Sequence, residues 1–234
     1  MNKSNTFEKL MSVVTEVGTM YEDLVYIGGI AVYLHAINQE STEAYAEATN
    51  DADLYISIAS LSDLRDIEEL TQNHRLSKLE FQKGGFSFDV YAERRSKLPV
   101  PYDQVAAYAI EYAGIRVACL EHLIVLKLEA AVDRHASEHG RKDAKDVIRI
   151  LLLSNLCEFD PQRVVAYMRD DHFGRLEAIM GGPEFVSLAQ GNAKIAKDLK
   201  LECAKAFLKI KAAYESPDGT GGAGDGPAKK ANKP

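Results

Sequence analysis

The sequence holds only three cysteines, Cys119, Cys157 and Cys203, odd in number and far apart. With no CxxC pair among them, neither a disulfide framework nor a thiolate zinc site is expected. Each lies among apolar residues and reads as core filler. The six histidines are scattered, without HExxH or a similar ligand spacing. No apolar run approaches the roughly 20 residues that a membrane-spanning helix needs, so no membrane contact is expected. The stretch MNKSNTFEKLMSVVTEV lacks the apolar core and small-residue cleavage site of a secretory signal, and reads as an amphipathic helix of a cytoplasmic protein. Positive charge is also short: 28 Lys and Arg face 35 Asp and Glu, for a net charge of −7. The surface as a whole therefore does not attract nucleic acid, although local patches can.

What is present suits one soluble globular unit, or one with a small appendage: 234 residues, 46% of them hydrophobic. Apolar spacing predicts helices over Phe7–Tyr21, Ile30–Ile37, Ser60–Gln72, Gln104–Ala109, Leu120–Ala136, Asp143–Leu153, Pro161–Met168 and Lys194–Tyr214. Ser60 with Asp63 resembles a capping pattern. Strands are predicted at Leu24–Ile27 and Asp51–Ile58. Two hairpins follow, one turning at Lys83-Gly84-Gly85 between Leu79–Gln82 and Phe86–Tyr91, the other at Ala113-Gly114. Asn38–Thr49 is polar and long for a connection, and reads as a mobile flap. Residues 216–234, rich in Gly and Pro, are expected to be disordered. Strands and helices mix in the first half and helices dominate the second. The layout is α+β: a core over residues 1–118, a helical C-terminal subdomain over 119–215, then the tail.

The chemistry concentrates between Leu24 and Ser57. An apolar strand meets Gly28-Gly29, and Asp51 and Asp53, one residue apart on a strand, point to the same face. Asp89 lies mid-strand on the face opposite Phe86 and Phe88, where β propensity disfavours an acid. Carboxylates on neighbouring strands are what a site for Mg²⁺ and phosphate needs, since Mg²⁺ takes hard oxygen ligands and shares them with phosphates. The glycine pair, whose simpler reading is a strand-to-helix turn, also suits a turn that cradles phosphate. Farther on, Lys127 and Arg134 share a helix face. Asp143 and Asp146 are expected in the first turn of the next helix, beside Lys142 and Lys145. Arg94-Arg95 with Lys97, and the run from Arg134 to Lys145, form two basic patches.

The order GGxAxxxH (Gly28, Gly29, His35), TxDxD (Thr49, Asp51, Asp53), a strand acid (Asp89), KxxAxxxR (Lys127, Arg134) and KDxxD (Lys142, Asp143, Asp146) resembles the nucleotidyltransferase superfamily of the DNA polymerase β type. Within it the chain is similar to the bacterial AbiEii-like and MenT-like group. The resemblance implies a small mixed sheet with flanking helices and a helical C-terminal part. It implies Mg²⁺-dependent transfer of a nucleoside monophosphate from an NTP to an acceptor. In the toxin branch the acceptor is a tRNA 3′ end, and a separate antitoxin protein neutralises the enzyme. On that resemblance Asp51, Asp53 and Asp89 bind metal. Gly28, Gly29, Thr49, Lys127, Arg134, Asp143 and Asp146 handle the nucleotide, with Asp143 and Asp146 acting behind Lys127 or Arg134. Two positions depart from the group's pattern. Ile30 stands where Ser or Thr is common, and Glu47 where Arg is common. A small-molecule or protein acceptor, or a binding protein without turnover, remain the alternatives.

Overall fold

A computed structural model of the chain describes residues 3–39, 41–73, 78–135 and 137–216. In chain order its elements are α1 (Lys3–Met20), β1 (Val25–Ile27), α2 (Gly28–Ile37), β2 (Asp51–Ile56), α3 (Ile58–Ile67), β3 (Thr71–Asn73), β4 (Lys78–Lys83), β5 (Phe86–Ala92), α4 (Tyr102–Ala107), β6 (Ile110–Tyr112) and β7 (Ile115–Val117). Among the described residues only helices follow: α5 (Leu120–Asp133), α6 (Glu138–Leu153), α7 (Pro161–Val165), α8 (Asp170–Gly181), α9 (Glu184–Leu188) and α10 (Ala193–Glu215). The fold is α+β, as expected.

The strands form one seven-stranded mixed sheet in the order β3-β4-β5-β2-β1-β7-β6. Its central strand is β2, flanked by β5 and β1, and the three residues of β1 are all buried, as an apolar run covered on both faces should be. Ile27 of β1 lies opposite Asp53 of the antiparallel β2. β2 runs parallel to β5 with Asp51 opposite Ser87 and Asp53 opposite Asp89. On β5, buried Phe88, Val90 and Ala92 alternate with half-buried Ser87, Asp89 and Tyr91. The strand thus turns one side to the core, where Phe81 stacks on Phe88 at 4.8 Å between centroids, and the other towards the acids. Both hairpins turn where the glycines predict. Gly84 and Gly85 have φ of +61° and +83°, and Ala113 and Gly114 +51° and +82°. A single cluster of buried apolar residues runs from Leu10 in α1 through the sheet to Ile210 in α10. Among the described residues, no helix is long and apolar enough to cross a membrane.

Several boundaries differ from those predicted. α2 starts at Gly28, so the glycine pair belongs to the helix. β2 stops at Ile56 because Ser57 caps α3, its hydroxyl accepting from the Ser60 amide at 3.1 Å; Ser60 is not the cap. α3 ends at Ile67, which is 56% exposed. Glu68 is already extended, and Thr71–Asn73 pairs with β4 as an edge strand. α6 begins at Glu138, not Asp143. Ser137 caps it through the Gly140 amide at 3.1 Å. Gly140 does not interrupt the helix; it lets the α5–α6 turn close, since a Cβ there would lie 2.0 Å from the Arg134 carbonyl oxygen. α4 starts at Tyr102 and α7 ends at Val165. α8 and α9 were not anticipated: DDHFGRLEAIMG carries two glycines and a weak apolar stripe. Of the cysteines, Cys119 and Cys203 are buried, but Cys157 is exposed and is not core filler. The predicted disorder beyond Ser216 and the predicted end of α5 at Ala136 lie outside the described residues; α5 ends at Asp133.

Candidate active site

Asp51, Asp53 and Asp89 come together because two strands run parallel and in register. Asp51 and Asp53 share a face of β2 by the two-residue period, and Asp89 sits beside Asp53 on β5. Asp51, first in its strand, has an exposed side chain; that of Asp89 is largely buried.

The glycine pair is packed against this strand. β1 ends opposite Asp53 and passes at once into α2. Gly28 takes φ +73°, and a Cβ there would lie 2.1 Å from Asp53 Oδ2. A side chain at this position would thus be strained by the backbone and would collide with the carboxylate. At Gly29 a Cβ would stand 3.2 Å from Thr49 Oγ1. The pair therefore has a role that needs no phosphate: it makes room for Asp53 and Thr49. Packed against Gly28, the first residue of α2, Asp53 lies at the positive end of that helix dipole. Ile30 is buried in the core, and the hydroxyl beside the glycines comes instead from Thr49. That hydroxyl donates to the Asp51 carboxylate and accepts from Lys142 Nζ at 3.1 Å. Lys142 also lies 3.9 Å from Asp51 Oδ1.

The second cluster joins α5 to α6. Lys127, 7% exposed, is 2.7 Å from Asp146 Oδ2 and 3.4 Å from Asp143 Oδ1. Arg134, at the C-terminal cap of α5, meets the other Asp143 oxygen at 2.7 Å. Asp143 and Asp146 are buried beyond the first turn of α6, so these cations, and not the helix dipole, balance them. Asp146 also accepts from Arg149 at 2.8 Å. Arg149 reaches on to the Tyr45 carbonyl at 2.7 Å and to Glu47 Oε2 at 2.5 Å. The connection expected to be a mobile flap is thus tied to α6 at Tyr45 and Glu47. It contains a 3-10 turn at Glu43–Tyr45 and a buried Thr42 bonded to the Ala36 carbonyl. Glu47 stands where an arginine is common, and an arginine arrives there from α6. His35 lies elsewhere, buried under the sheet. Its Nε2 donates to the Ala118 carbonyl at 2.9 Å, and its Nδ1 accepts from the Tyr112 hydroxyl at 3.0 Å. It ties α2 to the end of β7.

The electrostatics couple the two clusters. Burial pushes the Asp53 carboxyl up to about 7; Lys127 opposes the rise, and Asp89 and Asp51 add to it. Burial also raises Asp89 against the pull of Lys78. Asp51 is the reverse: neighbouring protein atoms partly desolvate its exposed carboxylate, but the Thr49 bond and the charges of Lys142 and Lys127 outweigh this and lower it. For Lys127, burial disfavours the ammonium, but Asp146, Asp143 and Asp53 outweigh it and hold the pKa above the ordinary lysine value. Tyr91, between the clusters, is raised by burial and by Asp53 and Asp89.

Two important residues were not read from the sequence: Arg149, and Lys78, which donates to Asp89 and lies 3.3 Å from Glu80 Oε1. A signal for Lys78 existed. The Gly84-Gly85 turn sets a register with Glu80 opposite Asp89, which puts Lys78 on the same face. Of the basic patches, Arg94 is exposed and pairs with Glu93 at 3.2 Å. Arg141, Lys142 and Lys145 line a groove of about 350 Å³ together with Glu47, Glu138 and Glu184.

The donor set suits one divalent ion better than two. Asp51 and Asp53 offer two hard carboxylates on one strand face. Asp89 is occupied by Lys78, and among the described residues no three His, Cys, Asp or Glu side chains converge as a metal centre.

No family model matches the sequence, and no curated protein matches it. Solved structures do. One is an antigenic nucleotidyltransferase-like protein from Paracoccidioides brasiliensis, 15% identical, covering 82% of this chain and 93% of its own, with a TM-score of 0.48. Another is JHP933 from Helicobacter pylori, also 15% identical, covering 93% and 97% respectively, with a TM-score of 0.46.

Proposed function

We propose that the chain is a nucleotidyltransferase that moves a nucleoside monophosphate from an NTP to an acceptor hydroxyl and releases pyrophosphate. The observation that carries this reading is the register of β2 and β5, which gathers Asp51, Asp53 and Asp89 on one face, with Asp51 and Asp53 within the field of Lys127.

Asp51 and Asp53 would hold Mg²⁺, which when bound would neutralise triphosphate charge and polarise the α-phosphate. Asp89, raised by burial, takes the proton of the acceptor hydroxyl as its oxygen bonds to the α-phosphorus. The bond to the bridging oxygen breaks and the pyrophosphate leaves with the electron pair. Lys127 and Lys142 supply fixed positive charge for it. Asp143 and Asp146 position Lys127, and Arg134 holds Asp143. Most of the gain comes from positioning and electrostatics, as in other phosphoryl transfers.

The acceptor on this reading is RNA, a tRNA 3′ end, and the protein acts as a toxin restrained by a separate antitoxin. In a groove of mixed charge beside the acids, Lys142, which donates to Thr49, supports a phosphate-bearing acceptor. The test supplies Mg²⁺, each labelled NTP in turn, and total RNA, cell protein or an aminoglycoside. Label in RNA supports transfer to RNA, and label in another acceptor keeps the transferase alone. No transfer and no NTP binding would refute it.

A further inference from the structure

Lys78 opens β4, the strand beside β5. The two-residue period puts it on the same face as Glu80, which pairs in register with Asp89. The residue is 9% exposed, and its ammonium sits between two carboxylates, donating to Asp89 and lying 3.3 Å from Glu80. Glu80 is held in turn by Asn73 Nδ2 at 2.9 Å. A buried ammonium keeps its charge only with such partners, and here the partners include the third acid of the candidate site. The place next to Asp89 that a second metal ion would take is therefore filled by a cation of the chain itself. A fixed positive charge there repels a divalent ion at short range.

We infer that Lys78 is the resident cation of the Asp89 half of the site, so that the protein binds one divalent ion, at Asp51 and Asp53, and not two. The inference rests on the nucleotidyltransferase reading of that face. Lys78 is a positioning residue: it keeps Asp89 in place and supplies the charge that a second ion would otherwise bring.

The test is Mn²⁺ titration of the full chain, followed by the electron paramagnetic resonance of free Mn²⁺. Wild type and Lys78→Arg should each bind one ion, and Asp51→Asn with Asp53→Asn should bind none. Lys78→Met, which keeps length and loses charge, should gain a second ion at least tenfold more tightly than any second ion in wild type. Circular dichroism checks its fold; if it is unfolded, the wild-type stoichiometry and Lys78→Arg decide alone. Two ions in wild type, both weakened by the Asp51 and Asp53 changes, would overturn the inference and leave the transferase reading standing. So would one wild-type ion with no gain in a folded Lys78→Met. An ion insensitive to Asp51 and Asp53, or no ion and no NTP binding, would overturn both.

Discussion

Asp53 lies opposite Asp89 across the parallel strands β2 and β5, two acids facing each other on a half-buried sheet face. Such a pair is unfavourable for a fold, because burial and mutual repulsion both oppose ionisation. Its persistence calls for a function, and the consequences can be measured.

The first concerns Asp53 and pH. Its folded pKa, about 7, lies above the value near 3.9 in an unfolded chain. The folded state thus holds the proton longer, and stability from this group is full below about pH 4 and lost as pH rises to about 7. Asp53→Asn should stabilise the metal-free protein by on the order of 2–4 kcal/mol at about pH 8, and by little at about pH 4. Urea unfolding at the two pH values checks it. The same change should abolish transfer.

The second concerns Gly28. Gly28→Ala places a methyl 2.1 Å from Asp53 Oδ2 at φ +73° and should cost about 2–4 kcal/mol. Adding Asp53→Ala should return the clash component and leave the backbone strain of about 1 kcal/mol. Gly29→Ala, where only the Thr49 side chain must yield, should cost less. Melting temperatures of the set give the order.

A third follows from the α5–α6 pair. Lys127→Met leaves Asp146 and Asp143 with fewer counter-charges and should cost about 3–5 kcal/mol. Adding Asp146→Asn should recover part of it, and a double-mutant cycle by urea unfolding reads the coupling. Activity should not return with stability, since the positive charge near Asp53 is still missing.

His122 provides a pH effect of opposite sign, away from the candidate site. It is fully buried, and neither ring nitrogen has a hydrogen-bond partner among the described residues. It lies edge-on to Tyr108 and Tyr167. Burial lowers its pKa to about 4, so the unfolded chain takes up the proton first. Stability from this group is full above about pH 6.5 and falls by up to about 3 kcal/mol as pH drops to about 4. His122→Phe should flatten that slope. Because Asp53 slopes the other way over the same range, each effect is read against its own variant.

The sequence shows this site unevenly. Asp51, Asp53 and Asp89 were legible because a two-residue period determines which side chains share a strand face, and the Gly84-Gly85 turn places β5 as a hairpin arm. The parallel pairing of β2 with β5 is a long-range choice that local pattern does not express, yet it is what joins the acids. The start of α6 was misplaced because Gly140 looks like a breaker along the chain, whereas only the approach of the Arg134 carbonyl explains it. The bond from Arg149 to Glu47 spans the chain from α6 to the connection before β2, and no spacing rule reaches that far. The same is true of Lys78 on Asp89, although the hairpin register carried a hint.

The most direct test of nucleotidyl transfer is a measurement with α-labelled and γ-labelled NTP in parallel, with Mg²⁺ and total RNA, comparing wild type with Asp51→Asn and Asp53→Asn together. The expected result is α-label joined to RNA, γ-label released as pyrophosphate, and neither with the double variant. Transfer that persists undiminished in a folded double variant, or γ-label joined to the acceptor, would contradict it.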